Sequence, residues 1–356
     1  MHLEDGRMPA EYKKYIARKT MIILGMLIFL AAFSLFAVCV GAVSVPLPDV
    51  LKTLLGGAGT GVYERIIWYI RIPQILTAIV AGAGLAVAGV AMQSVLRNPL
   101  ASPYTLGLSN AAAFGAAVGI LFFGLGTTGS NIADAVVVQN PYLVTLCAFL
   151  FSMLTSGIIL FIAKIRSASP EIMILAGVAI NSLAAAGLMA IQYFVDDTKL
   201  ASIVFWQFGD VSRADWPELA IISGIVLICF LYLLYKRWDL NAMEAGDETA
   251  KSLGVNVPQM RLFGMVAASL ISAVIVSFLG VIGFIGLVCP HIMRRFVGSD
   301  HRFLLIGTAV CGALLLLISD TVARTLIAPH VLPVSVITAF LGAPVFLYLI
   351  IQKKEI

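Results

Sequence analysis

Long apolar stretches without charged residues alternate with short polar segments along the whole chain. A helix needs about 20 apolar residues to cross the hydrocarbon layer of a bilayer. Nine uncharged stretches come close to that length or exceed it: Thr20–Pro48, Ile72–Leu96, Asn98–Ala133, Ala135–Ala163, Ile172–Val195, Leu219–Tyr235, Leu262–Met293, Phe303–Ser319 and Thr325–Gln352. The pattern predicts an all-α integral membrane protein with little chain outside the bilayer.

The stretch Leu262–Met293 is too long for one span and too short for two full ones. Its centre is rich in glycine, which favours a break between a full helix and a shorter one. If it crossed only once, five basic residues would move to the outer side: Arg294, Arg295, Arg302, Lys353 and Lys354. Because lysine and arginine favour the cytoplasmic side, we predict ten transmembrane helices with both termini in the cytoplasm. The expected domains are a cytoplasmic tail at 1–19, a ten-span domain at 20–352 and a cytoplasmic tail at 353–356.

The composition points the same way. Of 356 residues, 60% are hydrophobic and 12% are charged. A soluble domain carries about 25% charged residues, so this chain has too few to cover a water-facing surface. No P-loop segment for ATP is present, and we expect no cofactor in this chain. A zinc site or disulfide framework is disfavoured because the five cysteines lie in apolar runs without metal-ligand spacing: Cys39, Cys147, Cys229, Cys289 and Cys311.

Few polar groups lie within the predicted spans, and no ionisable residue lies near the centre of one. An ion-coupled secondary transporter usually places a carboxylate or histidine there. An intramembrane enzyme would need a clustered pair, yet His291 and His330 fall near opposite interfaces. These two alternatives stay open, but the pattern favours a transporter whose energy enters from outside the membrane domain. Small residues recur every fourth position, which allows close helix packing, at Ala78, Gly82, Ala86, Ala111, Gly115 and Gly119.

The segment 237–260 is the only long polar loop on the predicted cytoplasmic side. It has the pattern of two short helices, with a break at Gly246, an N-cap at Asp247 and a C-terminal stop at Gly254. Met243 and Leu253 would each give one helix an apolar contact, while three charged side chains would stay in solvent: Glu244, Glu248 and Lys251. Such a pair suits docking into a partner's groove, and a plain solvated loop is the alternative.

Polar residues mark the ends of other predicted spans. Arg71-Ile-Pro73 begins one span with a proline in its first turn, and Arg97-Asn-Pro-Leu-Ala101 follows that span. Cys289-Pro-His291 suggests a metal ligand, but no second ligand pair is nearby, so a structural role is favoured. Asp320 and Arg324 form either local helix support or an exposed guanidinium that awaits a carboxylate on an outer partner.

Taken in this order, the segments resemble the FecCD/BtuC-type permease family of ABC importers, which take up iron-siderophores, haem and cobalamin. The resemblance runs from about Arg71 to the C-terminus. It rests on five motifs: Arg97-Asn-Pro-Leu-Ala101, Leu175-Ala-Gly-Val-Ala179, Trp206-Gln-Phe-Gly209, Gly283-Phe-Ile-Gly-Leu-Val-x-Pro-His291 and Asp320-x-x-Ala-Arg324. Ser335 stands where the family usually has glycine after Pro-Val.

The resemblance implies a type II ABC importer permease in the cytoplasmic (inner) membrane, which works as a homodimer by alternating access and is not itself an enzyme. Two cytosolic ATPases would carry ATP and Mg²⁺ and move the fifth and tenth spans, and one extracytoplasmic binding protein would deliver the cargo. No nucleic-acid partner is implied. The cargo would be an iron-siderophore or a related chelate, although oxyanions such as molybdate stay open.

The resemblance also assigns roles to individual residues. Arg71 and Arg324 would form salt bridges with the binding protein. Gln74 would make a weaker docking contact, because it replaces a second arginine that often follows the proline. The cytoplasmic gate falls on Ser167, Ala168 and Ser169. The ATPase contact falls on Met243, Glu244, Ala245, Gly246, Asp247, Glu248, Lys251, Leu253 and Gly254.

Overall fold

The computed structural model describes residues 10–41, 43–56, 61–123, 126–127, 137–138, 141–165, 169–328 and 330–351. Within these ranges the α-helices are α1 (Ala10–Cys39), α2 (Leu47–Leu54), α3 (Gly61–Arg65), α4 (Ile72–Val95), α5 (Leu108–Phe123), α6 (Pro141–Ile165), α7 (Pro170–Phe194), α8 (Asp197–Gln207), α9 (Trp216–Tyr235), α10 (Arg237–Glu244), α11 (Asp247–Ser252), α12 (Val257–Leu279), α13 (Ile285–Val297), α14 (His301–Thr325) and α15 (Val334–Ile351). The remaining elements are a π-helical segment at Ile66–Arg71, a 3-10 turn at Val211–Arg213, and two paired strands, β1 (Gly126–Thr127) and β2 (Val137–Val138).

The helices occupy the predicted span positions. Among the described residues, seven helical segments are long and apolar enough to cross a membrane: α1, α3 to α4, α6, α7, α9, α12 and α14. Two shorter apolar helices, α5 and α15, lie at two further predicted positions, and the 13-residue α13 lies at the remaining one. The prediction of an all-α membrane fold is therefore confirmed.

The long stretch Leu262–Met293 divides as predicted. Helix α12 ends at Leu279, and Gly280 has a φ of 78°, a left-handed conformation that glycine adopts without steric cost. Helix α13 is short, with 13 residues. The break is held by its neighbours, since the Gly280 position leaves no room for a Cβ beside the Trp206 and Phe208 carbonyls. Arg213 donates hydrogen bonds to those same two carbonyl oxygens, at 3.1 and 2.7 Å.

Helix α4 forms the centre of the bundle and is almost entirely buried between Ala81 and Val95. Its glycines let neighbouring backbones approach closely, because a Cβ at Gly82 would overlap the Gly312 carbonyl of α14. A Cβ at Gly89 would overlap the Gly286 carbonyl of α13 in the same way. The small-residue spacing in this stretch thus serves helix packing, as expected in a bilayer.

Several element boundaries differ from the sequence prediction. Helix α1 begins at Ala10, so the predicted span start at Thr20 lies inside a continuous helix. The chain before Pro73 is already helical, through α3 and the π-helical segment, so the proline does not open the helix. The short helices α2 and α8 were not predicted. Both lie in connections between spans, where the length of an apolar stretch does not indicate a helix.

Candidate functional site

The helix pair α10–α11 lies at one end of the bundle, which is called the helix-pair end below. Gly246 separates the two helices with a φ of 119°, and Gly254 follows α11 with a φ of 84°. Both glycines therefore occupy the positions that the sequence predicted, in conformations that other residues rarely adopt. The predicted two-helix arrangement of this loop is confirmed.

Asp247 does not cap α11, which corrects the sequence prediction. The N-cap position is Gly246, and Asp247 is the first helical residue. Both carboxylate oxygens of Asp247 instead accept from the Arg261 guanidinium at 3.0 Å, and Arg97 lies 3.8 Å away. Arg261 also donates to the Val95 carbonyl at the end of α4, at 2.9 Å. Asp247 therefore ties α11 to α12 and to the end of α4.

Two further expectations about this pair are wrong. Leu253 makes no buried apolar contact, since 68% of it is exposed. Glu244 is not fully solvated, because it lies 3.6 Å from the Arg294 guanidinium of α13. Burial raises the pKa of Glu244, and the Arg294 charge opposes that rise. Met243 is fully buried, as predicted.

The surface that α11 leaves exposed is small and mixed in character. Glu248 and Lys251 form an exposed ion pair at 2.8 Å, and Leu253 projects beside them at the end of the helix. The exposed leucine offers an apolar contact to a partner's groove, and the charged pair offers polar contacts beside it.

The buried side of α10 is polar in a way that the sequence reading missed. Asn241 accepts from the backbone N–H of His301 at 2.8 Å and donates to Asp300 at 3.2 Å. His301 is fully buried, and its Nε2 lies 2.7 Å from the Ser94 hydroxyl of α4. Burial alone would raise the pKa of Asp300, but hydrogen bonds from Arg302 and Asn241 lower it to about 2. The signal available in the sequence was an N-cap aspartate followed by a histidine at a span start.

The predicted docking residues lie at the opposite end of the bundle, which is called the arginine end below. Arg71 is 4% exposed and Arg324 is 7% exposed, so neither offers a free guanidinium in this structure. Arg71 donates to the carbonyls of Val38 and Val43, and Arg324 donates to the carbonyl of Ala37 at 2.9 Å. The two arginines therefore hold the carbonyl groups where α1 ends, where a positive charge is favourable.

Asp320 completes this arginine-end cluster. Its carboxylate lies 3.3 Å from the Arg324 guanidinium and accepts from the Gln74 amide at 2.8 Å. Gln74 thus belongs to one buried group with Asp320 and Arg324, although it was predicted to contact a partner. The proposed docking roles stay predictions, and the structure shows a second, internal role for the same side chains.

The predicted cytoplasmic gate is only partly described. Ser167 and Ala168 lie outside the described residues. Ser169 occupies the N-cap position of α7 in an extended conformation, and its hydroxyl contacts the carboxylate of Glu171. The gate role of these residues stays a prediction.

His291 packs against the last helix of the chain. Its ring centroid lies 5.6 Å from that of Phe346 in α15. No group of three histidine, cysteine or acidic side chains comes together among the described residues in a way that could hold a metal ion. This arrangement agrees with a structural role for the histidine.

An open recess of about 810 Å³ lies at the arginine end, beside the starts of α6 and α9. Five aromatic side chains contribute to its wall, and the carboxylate of Glu218 in this wall already accepts hydrogen bonds. Glu218 accepts from the Tyr142 hydroxyl at 2.8 Å and from the backbone N–H of Asp215 at 3.1 Å. The aromatic side chains are Tyr142, Phe205, Trp206, Phe208 and Phe278.

Comparison with known proteins gives consistent matches over nearly the whole chain. Residues 26–352 match the FecCD transport family. The chain is 50% identical to an ABC transporter permease protein of Methanocaldococcus jannaschii, with 98% of this chain and 99% of that protein covered. It is 38% identical to the hemin transport system permease protein of Yersinia pestis, with 93% and 95% covered.

A solved structure shows the same fold. This structure is of a metal-chelate type ABC transporter in an inward-facing conformation, with a TM-score of 0.81 and 31% sequence identity. The match covers 94% of this chain and 99% of the other.

Proposed function

The chain belongs to the FecCD transport family, and we propose that it translocates an iron-siderophore or a related chelate by alternating access. It is the permease of an ABC importer for metal chelates and a transport component rather than an enzyme. The relatives support the chelate class, since one carries the name of a hemin permease and one is a metal-chelate type transporter. Haem and cobalamin are the other chelates of this proposal.

The helix pair α10–α11 supports the proposal that a partner protein supplies the energy for transport. Its outer surface presents Glu248, Lys251 and Leu253 to solvent. Its buried side packs on α4 and is bound to α12, α13 and α14 by polar contacts. A cytosolic ATPase that held this surface could therefore move the bundle by small displacements. We propose two such ATPases, which would bind ATP and Mg²⁺, because this chain has no P-loop.

The remaining partners follow from the same proposal. A second copy of the chain would complete the transport pathway. Helices α7 and α15 offer exposed apolar faces for contact with that copy, including Leu183, Met189 and Phe340. An extracytoplasmic binding protein would dock at the arginine end, which places the helix-pair end and both termini in the cytoplasm. The chain would lie in the inner membrane in this orientation.

A secondary transporter is the second candidate, and the structure weakens it. Among the described residues, Asp320 is the only buried carboxylate, and such a carrier would need one that is free to take up an ion. Asp320 is instead paired with Arg324 and accepts a hydrogen bond from Gln74. It also lies near one end of α14 rather than at mid-membrane depth.

The test is docking of the ATPase that is encoded beside this chain. We expect the native chain to co-purify with that ATPase, and Leu253→Glu to weaken the complex at least tenfold. The reason is that a carboxylate on the exposed apolar residue would be desolvated at the interface. The measurement is the amount of ATPase retained per permease after affinity purification.

Leu55→Glu is the matched control, because Leu55 is also an exposed leucine but lies beyond α2 at the arginine end. This variant should retain the ATPase fully. If the native chain retained no ATPase, or if it took up cargo in vesicles without ATP, the proposed function would be wrong.

A further inference from the structure

Helix α10 is joined to the central helix by a chain of hydrogen bonds. Asn241 of α10 contacts His301 at the start of α14, and His301 contacts Ser94 near the end of α4. His301 and Ser94 are 0% and 2% exposed, so water does not compete for these contacts. The chain of contacts therefore runs from the helix pair into the most buried helix of the bundle.

The proton positions in this chain follow from the chemistry of the three side chains. The Asn241 Oδ1 can only accept, and it lies 2.7 Å from His301 Nδ1, so Nδ1 carries the ring proton. In the neutral ring Nε2 is then an acceptor, and the Ser94 hydroxyl donates to it at 2.7 Å. Each link thus has a defined direction.

A second contact runs parallel to the first. Glu244 of α10 faces Arg294 of α13 at 3.6 Å, and Arg294 donates to the side-chain oxygen of Gln93 on α4. Gln93 and Ser94 are consecutive residues, so both contacts from α10 reach the same turn of α4. A displacement of α10 that broke either contact would leave buried polar groups without partners, which is strongly unfavourable.

We propose that Asn241 is a positioning residue of the transport cycle, which transmits the displacement of the helix pair through His301 to Ser94 on α4. This proposal rests on the proposed coupling to an ATPase at α11. It differs from the sequence expectation, in which the motion passes to the fifth and tenth spans. Here α13, α14 and α4 move first, because the directional contacts of α10 are made with α13 and α14 and reach α4 through them.

The apolar contacts of the helix pair do not provide the same control. Leu240 and Met243 are fully buried under α10, but apolar packing is not directional. The pair could slide over that surface without pulling α4 along its axis. The hydrogen bonds through His301 fix one register between α10 and α4, and this register is what a coupling element needs.

The experiment uses the complete importer, with this chain, its ATPase and its binding protein reconstituted in vesicles. The measured quantity is the hydrolysis ratio, which is the rate of ATP hydrolysis with the binding protein divided by the rate without it. Asn241→Leu breaks the first link and Ser94→Ala breaks the second. The control is Ser272→Ala, since Ser272 is 1% exposed but donates only to the Ala268 carbonyl of its own helix.

We expect the hydrolysis ratio to fall about fivefold or more in both single variants, the lower bound of a typical coupling between sites. ATPase retention should stay at the native level, because α11 is unchanged. The double variant Asn241→Leu/Ser94→Ala should lose no more than the worse single variant, since both changes break one chain of contacts. A purely structural role would instead lower yield and leave the ratio of the surviving protein intact.

Two histidine variants separate the links. His301→Asn keeps a side-chain donor near the Nδ1 position and loses the Ser94 contact. His301→Gln keeps the reach to Ser94 and loses the side-chain contact with Asn241, although the backbone N–H of residue 301 still donates to Asn241 in both variants. An equal decrease of the hydrolysis ratio in both variants supports a single chain of contacts from Asn241 through His301 to Ser94. The inference would be overturned if Ser94→Ala kept the native hydrolysis ratio. It would also be overturned if the decreases of the two single variants multiplied in the double variant. In either case the proposed function would stand. Failure of the native chain to retain its ATPase would overturn the function itself.

Discussion

At the scale of single residues, the arginine-end cluster shows how a recognition residue is tied into the fold. Arg71 and Arg324 were predicted as docking residues because their motifs match those of a family. The structure buries both and gives them the carbonyls at the end of α1 as partners. A binding protein that contacted these guanidinium groups would compete with those carbonyls, so docking and the position of the α1 end would be linked.

Arg324 can be tested for docking apart from its structural role. We expect Arg324→Gln to lower stability by about 3–5 kcal/mol, because it leaves the Asp320 carboxylate buried without a counter-charge. The double variant Asp320→Asn/Arg324→Gln removes both charges and should recover most of that loss. Affinity for the binding protein at low salt should stay reduced in both variants. Native affinity in the stable double variant would show that Arg324 acts only inside the fold.

The roles of Glu244, Asp247 and Leu253 could not be predicted from local sequence. The two-helix pattern and its glycines were readable because Gly246 and Gly254 need left-handed backbone conformations. The side of each helix that becomes buried depends on partners more distant in the chain, such as Arg294 for Glu244. Sequence spacing predicts a helix and its ends, but not the neighbours that surround it.

At the scale of elements, the glycine contacts of α4 govern how tightly the bundle closes. We expect Gly89→Ala to lower stability by about 1–3 kcal/mol, the usual cost of overpacking, because the new methyl group would overlap the Gly286 backbone. The measurement is the thermal unfolding midpoint of the purified chain in detergent.

Gly157→Ala is the matched control for this prediction. Gly157 also lies inside a membrane-spanning helix, α6, but an added Cβ would meet nothing within 4 Å. Stability should rise in this variant by up to about 1 kcal/mol, because alanine favours the helix. If both variants shifted the midpoint equally, close backbone contact would not explain the effect.

Elements with a strong hydrophobic or glycine signal were predictable, and connecting elements were not. The division of Leu262–Met293 into α12 and α13 followed from its length and its glycines, and the structure confirms it. The helices α2 and α8 carry no comparable signal, since they are short and lie between spans. The π-helical segment at Ile66–Arg71 arises next to Pro73, whose missing N–H disturbs the regular pattern.

At the scale of the whole molecule, the two ends of the bundle differ in chemistry. The helix-pair end exposes charged groups and links its helices by buried hydrogen bonds. The arginine end holds the buried cluster of Arg71, Asp320 and Arg324 and opens into a recess with five aromatic side chains in its wall. An importer needs this asymmetry, because it receives cargo on one side and energy on the other.

The orientation of these ends gives the last prediction. The excess of lysine and arginine in loops at the helix-pair end predicts that this end lies in the cytoplasm. We expect a membrane-impermeant maleimide to label Leu55→Cys in intact cells, because Leu55 is 86% exposed at the arginine end. Leu253→Cys, at a position that is 68% exposed, should be labelled only after the membrane is opened. The native chain is the control for labelling of its own cysteines, of which Cys39 and Cys147 are half-buried. The opposite labelling pattern would reverse the orientation, and with it the assignment of α11 to a cytosolic ATPase.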